Sequence, residues 1–201
     1  MMNFDLIAKE YDTDDRIKRA KVFSDEIRAR ITDGHKKSAL EYGCGTGLVG
    51  LNLINDFDSV IFVDSSSVMI EQINKKLLSL GKTSSYALRC DFMSEVPKNL
   101  KIDYIFVSLV LHHIEDVKTI LSCFYNMLND DGRLLIIDKN GEGIFYTNHP
   151  DYDGYDGFNQ TALTVLLKEI GFRSIESKTF WHSSKIANGV FILDAMKRHI
   201  K

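Results

Sequence analysis

The sequence predicts an α/β fold, a three-layer sandwich around a mostly parallel sheet of seven strands with an antiparallel strand at the C-terminal end. Three observations carry that expectation. From Ser38 onward, short apolar, β-branched runs alternate with longer stretches of helical periodicity, which is how βαβ units of a parallel sheet read. A turn containing Gly43, Gly45 and Gly47 directly follows the first of these runs. The last quarter of the chain then changes to a helix followed by two strand-like runs, which suit an antiparallel pair.

Taken in order, Phe4, Ile7, Ala8 and Tyr11, then Ile17, Ala20, Val22, Phe23, Ile27 and Ile31, recur at helical spacing and predict two helices before the first strand. Asp12, Thr13 and Asp14 between them suit an N-cap for the second. Strands are predicted at 38–42, 59–63, 86–90, 104–108 and 133–138, with helices at 48–55, 68–80 and 117–128 between them. Gly81 and Gly132 read as stop signals for the last two helices. Residues 91–97 suit a short helix or a loop. A helix at 161–170 ends at Gly171, and the runs 173–180 and 189–196 follow. Right-handed crossovers between successive parallel strands produce the three layers, and ligands of such sheets bind at the carboxyl ends of the strands.

With 201 residues and 44% hydrophobic content, the chain suits one domain, residues 1–37 forming helices that cover the site and 38–201 forming the core. The net charge is -3, from 25 basic and 28 acidic residues without a basic stripe, so nucleic acid is not expected as a partner. Nor is a membrane, since no run reaches the roughly 18 apolar residues of a spanning helix. Cys44, Cys90 and Cys123 lack the spacing of a zinc site or a disulfide framework, and a soluble, cytoplasmic protein is expected. The acidic stretch from Asp151 resembles a calcium loop only superficially. Its fifth, sixth and twelfth positions hold Tyr155, Asp156 and Ala162 where an acid, a glycine and a glutamate are required, so no metal site is expected.

The glycine turn permits a tight passage from strand to helix and lets a ligand lie against backbone, while the helix start offers unpaired N–H groups. Alone, such a turn is also simply a strand-helix connection. Asp64 ends the second predicted strand, where an acceptor for a ribose diol belongs in nucleotide-binding α/β folds. The same residue suits an N-cap, given Ser65, Ser66 and Ser67 after it. The dinucleotide fingerprint is G-x-G-x-x-G/A, but here the third glycine comes one residue early and Leu48 takes the later place. That spacing disfavours a pyrophosphate and favours a ligand with ribose and adenine but no phosphate.

Glu41 to Gly47 matches E/D-x-G-x-G-x-G at every fixed position, and on this motif the chain resembles the class I S-adenosylmethionine-dependent methyltransferases, particularly their small-molecule branch. The likeness runs roughly from Phe4 to Phe172 and implies a Rossmann-like fold with S-adenosyl-L-methionine as cofactor. It implies that Glu41, Gly43, Cys44, Gly45 and Gly47 form the cradle for the methionine portion and ribose, that Asp64 binds the ribose hydroxyls and that Ser65 sits beside them. Met69 resembles the family's apolar residue against the adenine ring, although core packing explains it equally. Asp91 matches the acid that receives the adenine amino group, with Phe92 offering its N–H; a solvated loop aspartate is the alternative. Residues 103–114, ending in His112 and His113, are similar to the fourth-strand motif, in which Ser108 and Leu109 offer backbone groups to the cofactor's amino-acid end. Tyr11, in a segment similar to the family's A-x-x-Y-D pattern from Ala8 to Asp12, would close over the cofactor or simply pack.

Methyl transfer from a sulfonium is an in-line displacement, accelerated by alignment and by exclusion of water. An acceptor that must lose a proton needs a base, and His112 or His113 is the candidate; both also suit a purely structural cap on the loop. Phe145, Tyr146, Tyr152, Tyr155 and Phe158, among Glu142, Asp151, Asp153 and Asp156, form either an acceptor-selecting lid or a loop pinned by its own aromatics. The family's N/D-P-P-Y/F run is missing after the fourth strand, which points to a small-molecule acceptor. Two alternatives stay open: a nicotinamide-dependent oxidoreductase, and an S-adenosylmethionine-binding module without transfer activity of its own.

Overall fold

Thr13 opens the first described helix, α1 (Asp14–Arg28), its hydroxyl accepting from the Arg16 N–H as an N-cap does. The structure is a computed structural model that describes residues 10–97, 99–142, 147–149, 152–184 and 186–198. The earlier of the two predicted N-terminal helices lies outside these residues, apart from its last few positions. The chain divides into two compact units, one reaching residue 98 and one starting at Asn99.

In the first unit, β1 (Ser38–Tyr42), β2 (Ser59–Asp64) and β3 (Tyr86–Arg89) are parallel in the order β3-β2-β1. The interior of β1 and β2 is buried at every position, so apart from Glu41 both read as apolar runs and not as alternating ones. The helix α2 (Leu48–Leu53) links β1 to β2, and α3 (Ser67–Ser79) links β2 to β3. Arg28 ties α1 to the end of α2, donating to the Asp56 carboxylate at 3.0 Å and to the Asn52 carbonyl at 2.6 Å. On α3, Met69, Ile73 and Leu77 repeat at i, i+4 and make the core face. The helix ends as expected, with Gly81 at φ 63° just past its C-cap.

In the second unit, β4 (Ile102–Ser108) and β5 (Leu128–Lys139) are parallel neighbours joined through α4 (Val117–Met127). A short hairpin, β6 (Thr147–His149) and β7 (Tyr152–Gly154), precedes α5 (Gln160–Ile170). The long strands β8 (Arg173–Ser183) and β9 (Ile186–Met196) then close the unit in the order β4-β5-β9-β8. The last strand runs antiparallel to both neighbours, as expected. Its Asp194 takes a two-pronged contact from Arg133 of β5, at 3.1 and 2.6 Å.

Each predicted helix and strand after residue 37 is present, with ends moved by a few residues. Residues 91–97 form a turn and not a helix. One stop signal is corrected: α4 ends at Met127, and Gly132 lies inside β5. A Cβ at Gly132 would come within 2.8 Å of the Asn129 carbonyl oxygen and 3.1 Å of that of Asp103, so the glycine answers a close backbone approach and not a helix end.

Gly50 on α2 tests how tightly this packing is set. A Cβ there would stand 2.3 Å from a Glu41 carboxyl oxygen and 2.5 Å from the Phe62 ring. Gly50→Ala is expected to cost about 1–3 kcal/mol, read as a lower urea midpoint with an unchanged m-value.

Candidate functional site

The chain leaves β1 through a turn that no other residue type makes easily: Gly43, Gly45 and Gly47 have φ of 67°, 52° and 78°. Cys44 between them is buried and donates its N–H to the Val63 carbonyl, while its own carbonyl accepts from Gly47. Burial pushes the Cys44 thiol well above its usual range, which keeps it an inert packing group.

Asp64 stands at the carboxyl end of β2 and holds this turn. One carboxylate oxygen accepts the Gly45 N–H at 2.8 Å and the other the Ser66 N–H at 2.9 Å. The N-cap of α3 is Ser66, which accepts from Met69, so the capping role weighed for Asp64 belongs to its neighbour. Ser65 is exposed, and its carbonyl accepts from Arg89.

Glu41 acts from beneath the turn. It is 3% exposed, and its carboxyl accepts the Gly50 N–H at 3.0 Å. Above the turn, the Tyr11 ring lies 3.7 Å from where a Gly45 Cβ would be, with the Arg16 guanidinium 4.1 Å from its centroid. Tyr11 thus packs against the glycine turn at Gly45.

Met69 is 1% exposed and sits on the core face of α3, where the packing alternative placed it. Asp91 is exposed and accepts the Met93 N–H at 3.0 Å. Phe92 is buried against the Tyr42 ring at 4.9 Å, and its N–H is directed at the Tyr42 phenol, so that N–H already has a partner.

The second unit carries the remaining expected residues. At the carboxyl end of β4, the Ser108 hydroxyl is buried without a hydrogen-bond partner among the described residues. Such an orphaned group fits a polar ligand atom. Leu109 has φ 56°, strained for a residue with a Cβ, and its N–H is spent on the Ile137 carbonyl, while its carbonyl takes no backbone donor among the described residues. His112 and His113 follow in a single 3-10 turn with ring centroids 4.0 Å apart.

Their difference lies in Asp138, the buried carboxylate near the end of β5. It meets the His112 ring nitrogen Nδ1 at 2.7 Å, accepts the Lys139 N–H at 2.7 Å and takes the His112 N–H at 3.3 Å. With Nδ1 donating to the acid, the proton-accepting nitrogen of a neutral His112 is Nε2. Tyr155 and Phe158 are the loop aromatics whose tethers are described; the Phe158 N–H donates to the Lys139 carbonyl at 2.8 Å, and Tyr155 is held beside the histidines. Its N–H donates to the His112 carbonyl and its hydroxyl to the Glu115 carbonyl, at 2.7 and 2.8 Å. It also packs on Phe158. Phe145, Tyr146 and Asp151, and the side chains of Tyr152 and Asp153, lie outside the described residues.

Sequence reasoning missed two partnerships. Asp138 could have been noticed, since it ends a strand as Asp64 does. The other joins Asp12, Thr46 and Lys76, and nothing in the spacing of Lys76 marks it. Among the described residues, no three His, Cys, Asp or Glu side chains gather as a metal site. No helix among them is long and apolar enough to cross a membrane.

A family model described as a methyltransferase domain matches residues 40–134. An uncharacterised methyltransferase of Schizosaccharomyces pombe is 27% identical over 185 residues, covering 83% of this chain and 64% of that protein. Among solved structures, the N-methyltransferase NodS of Bradyrhizobium japonicum, in complex with S-adenosylhomocysteine, superposes with a TM-score of 0.71 at 17% identity, covering 92% of this chain and 87% of that one. A phosphoethanolamine N-methyltransferase of Haemonchus contortus, with phosphomonomethylethanolamine and S-adenosylhomocysteine, gives 0.71 at 16% identity over 86% of this chain and 52% of its own. The chain therefore spans somewhat under two thirds of the yeast relative and about half of the Haemonchus protein. At such identities the structural likeness speaks for the fold, which is the Rossmann-like one expected.

Burial, with the Asp64 charge adding and the Gly50 N–H opposing, pushes the Glu41 carboxyl from its ordinary 4.5 up to about 8. Between those values the folded chain keeps a proton that the unfolded chain releases, so this group's stabilising contribution falls as pH rises, by at most about 1.4 kcal/mol per pH unit. Denaturant unfolding at pH 5, 6.5 and 8 is expected to show a steeper fall for the native protein than for Glu41→Gln, which accepts the same N–H without titrating.

Proposed function

We propose that the chain is a class I S-adenosylmethionine-dependent methyltransferase, as the methyltransferase-domain match over residues 40–134 supports, and that it transfers the donor's methyl group to a small-molecule acceptor by in-line displacement. The observation that carries this reading is the Asp64 carboxylate at the carboxyl end of β2, joined to the Gly45 N–H at 2.8 Å within a turn of three positive-φ glycines. S-adenosyl-L-methionine would supply an activated methyl group on sulfur. Asp64 would bind its ribose hydroxyls, with Gly43, Cys44, Gly45 and Gly47 lying against it, Glu41 supporting them from below and Tyr11 roofing them. Ser65 and Asp91 are assigned to the adenosine side, Met69 and Phe92 to core packing, and the Ser108 hydroxyl and Leu109 carbonyl to the amino-acid end.

For an acceptor that must lose a proton, His112 is assigned as the base. Asp138 would fix its tautomer and stabilise the imidazolium that forms. Histidine suits this task near neutral pH, and the buried acid behind it turns Nε2 into the accepting nitrogen. His113 is assigned a supporting place against the His112 ring.

The net charge of -3 without a basic stripe supports a small molecule over nucleic acid. The phosphomonomethylethanolamine held by the Haemonchus enzyme is of that size class. Cys44, Cys90 and Cys123 are free thiols, in keeping with a reducing, cytoplasmic setting. The match at 40–134 crosses the join between the two compact units, so both are read as parts of one methyltransferase domain.

Isothermal titration is expected to give saturable binding of S-adenosylmethionine and S-adenosylhomocysteine, with Asp64→Asn weakening it about 10–100-fold as hydrogen bonds to a charged group are lost. No binding to the native chain would refute the reading. Once an acceptor is found in a screen for S-adenosylhomocysteine release, His112→Ala is expected to lower kcat by about 10²-fold or more while leaving affinity for the donor nearly unchanged.

A further inference from the structure

The segment that places Tyr11 over the glycine turn is fastened by a side chain from a different element. Lys76, in the last turn of α3, donates to the Asp12 carboxylate at 2.7 Å and to the Thr46 carbonyl at 2.7 Å. The Thr46 hydroxyl donates to the other Asp12 oxygen at 2.5 Å. Three pieces of chain far apart in sequence thus meet at one ammonium group: the approach to α1, the glycine turn and α3.

We propose that Lys76 is a positioning residue that clamps the Tyr11-Asp12 strap onto the glycine turn and thereby sets how firmly the donor is retained. The inference rests on the functional reading above for the identity of the donor. Arg16 holds Tyr11 too, through its carbonyl at 3.0 Å and its ring at 4.1 Å, but Arg16 belongs to α1 and fastens the strap only to its own helix. Among the described residues, the strap's hydrogen bonds to the glycine turn and to α3 run through Asp12, and Lys76 supplies the charge that balances it. A lone surface pair of this exposure, 28% for Lys76 and 34% for Asp12, contributes little. Here each Asp12 oxygen has its own donor and the ammonium also satisfies a carbonyl of the turn, so losing Lys76 frees the strap and the turn together. Because the strap roofs Gly45, its release opens the side of the turn on which the donor would lie.

The test compares the native chain with Lys76→Met, Lys76→Arg, Asp12→Asn and the Asp12→Asn/Lys76→Met double variant. S-adenosylhomocysteine binding is measured at low and high salt, and amide hydrogen exchange without ligand. Lys76→Met is expected to weaken binding about 3–10-fold at low salt and to show a flatter salt response, because the screened pair is gone. Lys76→Arg should restore most of the affinity, and the double variant should be no worse than either single one, as partners in one contact behave. Without ligand, amides of residues 11–13 and 45–47 should exchange faster in Lys76→Met, with no comparable change in β1 or β2. Native-like binding and salt response in Lys76→Met, or unchanged exchange in the strap, overturns the clamp. If the native chain binds no S-adenosylhomocysteine, the functional reading fails and the donor-retention part of the proposal with it, while hydrogen exchange still decides whether Lys76 fastens the strap.

Discussion

The Asp64 carboxylate is where the fold of the first unit becomes a site. Three positive-φ glycines give the turn after β1 its shape, but a chain so free of side chains pays heavily in entropy to keep one conformation. Asp64 offsets that by accepting the Gly45 N–H, and with its other oxygen it orders the entry to α3 through Ser66. One acid thus joins the turn after β1 to the start of α3.

Around that point the turn is supported from two sides by different physics. Below it, Glu41 is buried, holds the Gly50 N–H, and keeps its proton into the neutral range because burial disfavours its charge. Above it, Tyr11 roofs Gly45 and the Asp12, Thr46 and Lys76 contacts fasten the roof. The lower support is dry and rigid; the upper one is half exposed and depends on screened charge. A turn built in this way can stay shaped while its cover remains the easier part to release.

Much of this was legible in the sequence where one local rule decides the outcome. The strands starting at Ser38, Ser59 and Tyr86 are largely apolar runs bounded by turn residues, and the glycine turn, Asp64 and the helix ending at Gly171 each carry their own signal. Gly132 misled because a glycine after a helical run looks the same whether it ends the helix or admits a neighbouring backbone, and only the second is true here. Met69 could not be assigned from spacing, since the core face of α3 and a face towards adenine begin at the same residue type. Lys76 was invisible because its partners lie 30 and 64 residues away in sequence. Asp138 was half visible: the fifth strand ends near an acid, but its pairing with His112 needs the register of β4 on β5.

The central claim is that Asp64 and the glycine turn form the donor's cradle, and a crystal structure with S-adenosylhomocysteine tests it most directly. Both ribose hydroxyls should lie within hydrogen-bond distance of the Asp64 carboxylate, with the Gly45 N–H contact kept and the Tyr11 ring over the turn. A ligand bound elsewhere on the chain, with no ribose hydroxyl near the Asp64 carboxylate, would contradict it.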